Sequence, residues 1–122
     1  MMAQNALEFI NGWLQELADS GKLIVVEGKK DRAALQRLGI TNVFSLDKKP
    51  LFQAVEEISA ISDKVVLLTD LDNEGKKLYS RLNTDLQRHG VQIDNYFREA
   101  LFRRTALRQI EGLDTYVYNL GK

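Results

Sequence analysis

The sequence predicts an α/β fold, in which a mainly parallel sheet of about four strands is covered by helices on both faces. Short apolar runs, of which LIVV at 23–26 and KVVLLT at 64–69 are the most strand-like, are rich in β-branched residues and end at polar turns. They alternate with segments of roughly 10 to 15 residues that have helical apolar spacing. Strands that alternate with helices pair in parallel through right-handed crossovers, so helices lie on both sides of the sheet.

The predicted elements follow one another as four helix and strand pairs. Their bounds, in chain order, are a helix ending near 20–21, a strand at 23–26, a helix at 31–38, a strand at 42–46, a helix at 51–61, a strand at 64–69, a helix at 76–88 and a strand at 91–96. Glycines after the helices, such as Gly39 and Gly90, are typical of helix ends.

The inward faces of the helices are predicted from apolar residues at helical spacing. The residues assigned to them are Ile10, Leu14 and Leu17 in the first helix, Ala34, Leu35 and Leu38 in the second, and Phe52, Val55 and Ile58 in the third. The pattern at 97–118 is mixed. Leu101, Leu107 and Ile110 favour a helix there, but Thr105 and Gly112 weaken its continuity.

The chain has 122 residues, 17 Lys and Arg, 17 Asp and Glu, and no Cys. This length predicts one domain, 1–122, made of an N-terminal helix at 1–21, a core at 22–95 and a C-terminal extension at 96–122. The absence of Cys excludes disulfides, thiolate zinc sites and Cys nucleophiles. The chain has no signal-peptide pattern and no apolar run near the ~20 residues that span a bilayer, so we expect a cytoplasmic protein with no membrane partner.

Acidic residues follow the two most strand-like segments. Glu27 comes directly after the first, and Asp70 and Asp72 come after the other. Because the carboxyl ends of parallel strands face the same crevice, we expect these carboxylates to meet there. Gathered carboxylates repel one another unless a cation lies between them, and oxygen ligands favour hard cations such as Mg²⁺. The alternative is that single acids cap helices, as Asp70, Asp72 or Asp31 can each do.

Two motifs in these positions resemble those of the Toprim domain. They are EGKKD at 27–31 and DLDNEG at 70–75, each after an apolar strand. The Toprim domain is shared by type IA and type II topoisomerases, bacterial-type primases, recombination-repair proteins, old-family nucleases and ribosomal-RNA maturation nucleases. The first motif is closest to that of the maturation nucleases, and the second is similar to the DPDREG of the topoisomerases. The resemblance spans roughly 22–95 and implies a Toprim-like, Rossmann-like sandwich.

The resemblance also implies roles for individual residues. Glu27 matches the glutamate that acts in the family as a general acid or base in phosphodiester breakage and rejoining. Asp70 and Asp72 match the aspartates that hold the divalent ion, so Glu27, Asp70 and Asp72 are the predicted catalytic and metal-binding residues. Gly28 and Gly75 match the turn glycines that let the backbone approach the site.

One position departs from the family pattern. Many topoisomerase versions have an acid immediately after the second glycine, where this chain has Lys76. The number of metal ions, one or two, therefore stays open. The expected cofactor is Mg²⁺, with Mn²⁺ as its substitute.

Charge is distributed unevenly along the chain. The segment 63–75 carries four acids and one base, a net of −3, whereas 96–108 carries four Arg and one Glu, a net of +3. The residues predicted to bind phosphate are Lys29, Lys30, Arg32, Lys76, Arg103 and Arg104. The alternative is that such side chains are simply solvated, which we prefer for Lys77. A zero net charge means that nucleic-acid binding depends on this local placement.

The leading functional prediction is a Mg²⁺-dependent phosphoryl-transfer protein acting on RNA or DNA, most simply a nuclease in RNA processing or DNA repair. One alternative is a non-catalytic metal-binding module that binds nucleic acid or protein in a larger processing complex. A second alternative is a phosphatase of the haloacid-dehalogenase type, whose first motif is also a DxD after a strand. The sequence leaves the oligomeric state open.

Overall fold

The computed structural model describes residues 2–122, with side chains described from Asn5 onward. Within these residues four strands pair in parallel in one sheet. They are β1 (Leu23–Val26), β2 (Val43–Ser45), β3 (Lys64–Leu67) and β4 (Gln92–Asp94). The order across the sheet is β2-β1-β3-β4. The strand number and the parallel pairing are as the sequence predicts.

Helices cover both faces of this sheet. They are α1 (Met2–Asp19), α2 (Lys29–Arg37), α3 (Leu51–Ile61), α4 (Asn73–Arg88), α5 (Tyr96–Arg104) and α6 (Leu113–Leu120), with a 3-10 helix at Ile110–Gly112. Helices α3 and α4 pack on one face, and α1, α2, α5 and α6 lie on the other. The predicted α/β class is confirmed. In the described part of the chain, no helix combines the length and apolar character needed to cross a membrane.

Alternate residues of the central strands point into two separate cores. In β1, Leu23 and Val25 pack with residues of α3 and α4, whereas Ile24 and Val26 pack with the helices of the opposite face. All four side chains are buried. This two-sided burial explains why the strand is a continuous apolar run in the sequence.

Several predicted details differ from the structure. Helices α2 and α4 begin at Lys29 and Asn73, two and three residues before their predicted starts, because the polar turns after β1 and β3 already form the first helical turns. Phe52, predicted to face the core, is 70% exposed. That prediction is wrong because the buried stripe of α3 runs through Ala54, Val55 and Ile58, which leaves Phe52 to one side.

The C-terminal stretch forms three short elements in place of one helix. Helix α5 ends at Arg104, where Thr105 adopts an extended backbone. The chain then runs without regular structure to the 3-10 helix, which leads directly into α6. The predicted weakness at Thr105 therefore marks a real helix end, and it frees the segment 105–112 to pack elsewhere.

The strand order places the candidate acids at one point of the sheet. The chain passes from β1 to β2 on one side and then crosses to β3 on the other side of β1. The carboxyl ends of β1 and β3 thus flank the switch point, where open α/β sheets bind their ligands.

Candidate functional site

Glu27 and Asp70 meet at this switch point. Glu27 follows β1 directly, and the parallel register, with Val25 opposite Leu67, brings the turns after β1 and β3 together. Glu27 Oε2 accepts a hydrogen bond of 2.7 Å from the backbone N–H of Asp70. The bond joins two predicted site residues that are 43 positions apart in the sequence.

The segment 105–112 packs on the turn that carries Asp70. Asp70 Oδ1 accepts a hydrogen bond of 2.9 Å from the backbone N–H of Ile110, and the N–H of Leu71 donates to the carbonyl of Arg108 at 2.8 Å. The first bond orients one carboxylate oxygen of Asp70, and the second ties the backbone of the turn to the segment 105–112. Sequence reasoning missed this contact because it uses backbone groups, which every residue has.

Asp72 caps helix α4. Its Oδ1 accepts a hydrogen bond of 2.7 Å from the N–H of Gly75, so the capping interpretation describes this residue correctly. Thr69 Oγ1 donates to the carbonyl of Gly75 at 2.8 Å. A Cβ atom at position 75 would lie 2.0 Å from the carbonyl oxygen of Asp70, a distance that no side chain can occupy. Glycine at 75 is therefore required by the close approach of the Asp70 backbone.

Gly28 is different from Gly75. Its φ is −147°, and a Cβ atom there would meet nothing nearer than Asp31 Oδ2 at 3.9 Å. The fold itself therefore does not require glycine at this position.

Arg98 of α5 also binds this turn. Its Nε donates to the carbonyl of Thr69 at 2.9 Å, and its Nη2 donates to the carbonyl of Asp70 at 2.7 Å. The guanidinium lies 4.8 Å from the ring centroid of Tyr79 and 5.4 Å from that of Phe102. In the sequence Arg98 is one of four arginines between 96 and 108, and nothing in the pattern separates it from the others.

Asp31 is a buried acid beside the predicted residues. The residue is 6% exposed, and its Oδ2 accepts a hydrogen bond of 3.0 Å from the N–H of Gly28. Burial, and then the charges of Asp70, Glu27 and Glu111, raise the pKa of Asp31 to about 6, although the bond from Gly28 opposes that rise.

The predicted acids share this environment. Burial raises the pKa of both Glu27 and Asp70 above their ordinary values. Backbone hydrogen bonds, from Asp70 to Glu27 and from Ile110 to Asp70, lower the pKa of each acceptor, and the charge of Asp72 raises both. The positive charge of Arg98 lowers both, but the net shift is upward. The site thus concentrates negative charge at a partly buried position.

The donor set suits a hard divalent cation. Among the residues that the structure describes, no three acidic, His or Cys side chains are grouped closely enough to hold a metal ion on their own. Mg²⁺, however, is usually held by only one or two carboxylates together with waters. Glu27, Asp70 and Asp72 each use one oxygen in a backbone hydrogen bond, which leaves the other oxygen of each outside that bond. These residues therefore fit the ion that the Toprim resemblance implies.

Two cavities adjoin the acids. The central cavity, of about 750 Å³, has Glu27 and Asp70 in its wall. The other acids of its wall are Asp31, Asp47, Glu74 and Glu111, and its basic residues are Lys29, Lys30, Lys48 and Lys49. A second cavity, of about 790 Å³, lies between α2 and the segment 105–112 and is lined by Asp72, Lys30, Arg37 and Arg108 among others. Lys30 lines both, so the two cavities are neighbours.

The structure separates the predicted phosphate-binding residues into two groups. Lys29 and Lys30 line the central cavity. Arg32, Lys76, Arg103 and Arg104 line neither cavity. Arg104 lies over the ring of Phe9 in α1, 4.4 Å from its centroid, which places it against another part of the molecule. Arg108, one of the four arginines counted in the basic segment 96–108, lines the second cavity. Sequence reasoning missed Lys48 and Lys49, because their loop reaches the central cavity only through the fold.

Comparison with known proteins agrees with this architecture. The Toprim domain family matches residues 22–104. A UPF0292 protein of Methanosarcina barkeri is 36% identical over 120 residues, covering 93% of this chain and 84% of that protein. A UPF0292 protein of Pyrococcus abyssi is 31% identical over 121 residues, covering 98% of this chain and 89% of that protein.

A solved structure of a protein from Aquifex aeolicus is also similar. It superposes with a TM-score of 0.76 at 32% identity, covering 83% of this chain and 94% of that one. With a Toprim match over most of its length and relatives that align along nearly all of it, the chain belongs to the Toprim domain family and to the UPF0292 family.

Proposed function

We propose that this protein is a Mg²⁺-dependent nuclease that cleaves phosphodiester bonds in RNA or DNA. The observation that carries the proposal is the pairing of Glu27 with Asp70 at the switch point, in the wall of a cavity that also presents lysines. Toprim membership supports a metal-dependent role connected with nucleic acids. The proposed context is an RNA-processing or DNA-repair complex in the cytoplasm.

The carboxylates have separate tasks in this proposal. Asp70 and Asp72 would hold the cation together with waters, and the cation when bound would supply charge neutralisation at the phosphate and stabilise the charge that develops during cleavage. Glu27 moves a proton at Oε1, because Oε2 is engaged by the N–H of Asp70. Lys29 and Lys30, on the cavity wall, bind the phosphates on either side of the scissile bond.

The chain's own bonds position these groups. Arg98 holds the backbone carbonyl of Asp70 and Ile110 holds one oxygen of its carboxylate, so the carboxylate has a fixed direction before any ligand arrives. Such preorganisation is what electrostatic catalysis requires, since no reorganisation is then needed during the reaction.

Turnover tests the proposal. Purified protein is incubated with labelled structured RNA, single-stranded DNA and duplex DNA, each with Mg²⁺ or Mn²⁺. We expect cleavage of at least one substrate, and a loss of at least about 100-fold in Glu27→Gln, which keeps the shape of the side chain but cannot move the proton. Calorimetric titration with Mn²⁺ gives a second readout, in which Asp70→Asn lowers affinity at least about tenfold.

The controls separate the proposal from its alternatives. Cleavage that survives in Glu27→Gln would point to a contaminating nuclease. Unchanged metal affinity in Asp70→Asn would remove Asp70 as a ligand. No cleavage of any substrate, with metal binding intact, would favour a non-catalytic binding module, for which the exposed Arg103 and Arg104 offer a basic surface apart from the cavities.

A phosphatase of the haloacid-dehalogenase type is the weaker alternative. It requires Asp70 as a nucleophile, and membership in the Toprim family argues against that chemistry. Trapping of a phosphoaspartate at Asp70 would favour it over the nuclease.

A further inference from the structure

The turn between β2 and α3 has an unusual backbone. Its two central residues, Asp47 and Lys48, have φ values of 50° and 62°. The N–H of Lys49 donates to the carbonyl of Leu46 at 3.0 Å and closes the turn. Positive φ at both central positions is the pattern of a type I′ turn, in which Asn or Asp followed by Gly is the favoured sequence.

Asp47 suits this turn, but Lys48 does not. Aspartate is one of the few residues that tolerate left-handed backbone, and here its Oδ1 accepts a hydrogen bond from Ser45 Oγ. Lysine has no such local bond to offer, and its Cβ makes the left-handed region unfavourable. The second central position, where glycine would be unstrained, thus carries a long cationic side chain at an energetic disadvantage.

The turn is attached directly to the candidate site. The N–H of Leu46 donates to the carbonyl of Val26 at 3.0 Å, and the N–H of Asp47 donates to the carbonyl of Glu27 at 3.0 Å. These bonds fix the turn beside the first catalytic candidate, and they make Lys48 part of the central cavity wall.

The two lysines of the turn differ in their partners. Lys49 Nζ lies 2.7 Å from Glu57 Oε2 and 5.0 Å from the centroid of the Phe44 ring. Lys48 is exposed, and it has no ion-pair partner among the side chains that the structure describes. Lys49 thus has a structural task, and the ammonium group of Lys48 is left for a ligand in the cavity.

We propose that Lys48 binds a backbone phosphate of the nucleic acid that enters the central cavity, and that the strained turn serves to present it there. This inference rests on the proposed function, since it takes a nucleic acid as the ligand. Backbone strain is kept at functional sites when the surrounding structure enforces it, and here three backbone hydrogen bonds do so.

The test compares binding with stability in matched variants. Fluorescence anisotropy measures the binding of short labelled single-stranded RNA, single-stranded DNA and duplex DNA, with Mg²⁺, across salt concentrations. Every protein compared, including the one with the original Lys48, carries Glu27→Gln so that the probes are not cleaved. Lys48→Ala removes the charge and keeps the strain, Lys48→Gly removes both, and Lys48→Arg keeps the charge. Lys77→Ala, at an exposed position of α4 outside both cavities, is the control.

We expect Lys48→Ala and Lys48→Gly to weaken binding by about 3- to 10-fold at low salt and to reduce the slope of log affinity against log salt by about 1. Lys48→Arg and Lys77→Ala should stay within about twofold of the original protein. Lys48→Gly should at the same time raise the melting temperature by roughly 2 to 5 °C, because glycine relieves the turn. A variant that is more stable but binds nucleic acid more weakly would indicate that Lys48 serves binding at a cost in stability.

The outcomes distinguish this inference from the function on which it rests. If the original protein binds a nucleic acid and Lys48→Ala binds it equally well with the same salt slope, the role of Lys48 is refuted while the nuclease proposal stands. If the original protein binds none of the three probes, both fail. If Lys48→Gly lowers the melting temperature, the turn is not strained at Lys48, and that part of the inference is overturned.

Discussion

Two turns carry the candidate acids, and they are held in different ways. The Glu27 turn (residues 27–31) follows β1, and the Asp70 turn (residues 69–75) follows β3. Within the Glu27 turn, the N–H of Gly28 donates to Asp31, and from another loop the N–H of Asp47 donates to the carbonyl of Glu27. The Asp70 turn is held by its own Thr69 to Gly75 bond and also by side-chain or backbone groups of α5, the segment 105–112 and Glu27.

The difference indicates that the two turns contribute differently to the site. The bond from Ile110 fixes a carboxylate oxygen of Asp70, and the bonds of Arg98 and Glu27 hold the backbone that carries it, so this turn is preorganised. The Glu27 turn has space for a Cβ at Gly28, so it should tolerate a small side chain there. It also contains Asp31, a buried acid whose pKa is raised, so its stability should depend on the charge of that acid. Substitutions in one turn should therefore act through packing, and those in the other through protonation.

The largest expected effect on stability comes from a methyl group added at Gly75 in the Asp70 turn. Gly75→Ala places a Cβ 2.0 Å from the carbonyl oxygen of Asp70, and the backbone there cannot move without breaking the bonds of Arg98. We expect a loss of more than about 4 kcal/mol in the free energy of unfolding, measured with urea.

Gly28→Ala is the matched comparison. Its Cβ would have ordinary contact distances and an allowed backbone, so we expect a change within about 1 kcal/mol. Equal losses in the two variants would mean that the turns are equally constrained, and the contrast between them would be abandoned.

An intermediate effect is expected at Arg98. Arg98→Met removes two charge-assisted hydrogen bonds from the carbonyls of Thr69 and Asp70, at a position between two aromatic rings. We expect a loss of about 2 to 3 kcal/mol in the free energy of unfolding. Arg98→Lys should recover less than half of it, because an ammonium group cannot reproduce the paired geometry of the guanidinium.

Arg103→Met provides the control for this loss. Arg103 is an exposed arginine of the same helix, and its replacement should change the free energy of unfolding by no more than about 0.5 kcal/mol. A similar result for both arginines in thermal and urea unfolding would contradict the holding role of Arg98.

Strands β1 and β3 and the acids at their ends can be predicted from the sequence. The hydrogen bonds that hold those acids in place are much harder to predict. Strands β1 and β3 are visible because both of their faces are buried, which makes them continuous apolar runs. The meeting of Glu27 with Asp70 follows from parallel strand geometry alone. The bond from Ile110 to Asp70 is not predictable in this way, because a backbone N–H looks the same at every position.

The basic residues show the same limit. Arg98 is half-buried and Arg103 is exposed, yet both lie in one short helix of weak amphipathic pattern. Which of them faces the turn depends on how α5 packs on β3, a tertiary contact with no local signal. Phe52 is a similar case, because a stripe drawn through Val55 and Ile58 fits two neighbouring helix faces and only packing selects one.

The smallest expected effect on stability is at Asp31, where the prediction concerns the protonation of a buried carboxyl group. Burial and neighbouring acids raise the pKa of Asp31 from 3.8 to about 6 on folding, so the folded state binds this proton more tightly than the unfolded state does. The resulting stability is fully present below pH 3.8 and is lost as the pH rises through about 6. Asp31→Asn keeps an oxygen for the N–H of Gly28 but does not titrate, so it should not lose this stability.

Urea unfolding of both proteins in EDTA, from about pH 4 to pH 7.5, measures the effect. EDTA is needed because a bound cation favours the charged carboxylate and would mask the titration. We expect the variant to gain about 1 to 2 kcal/mol over the original protein as the pH rises across this range, and added Mg²⁺ to reduce that gain. If the difference in the free energy of unfolding between the two proteins does not change with pH, Asp31 has the same pKa in the folded and unfolded states. The Glu27 turn would then be no more sensitive to charge than the Asp70 turn, and only their packing would distinguish them.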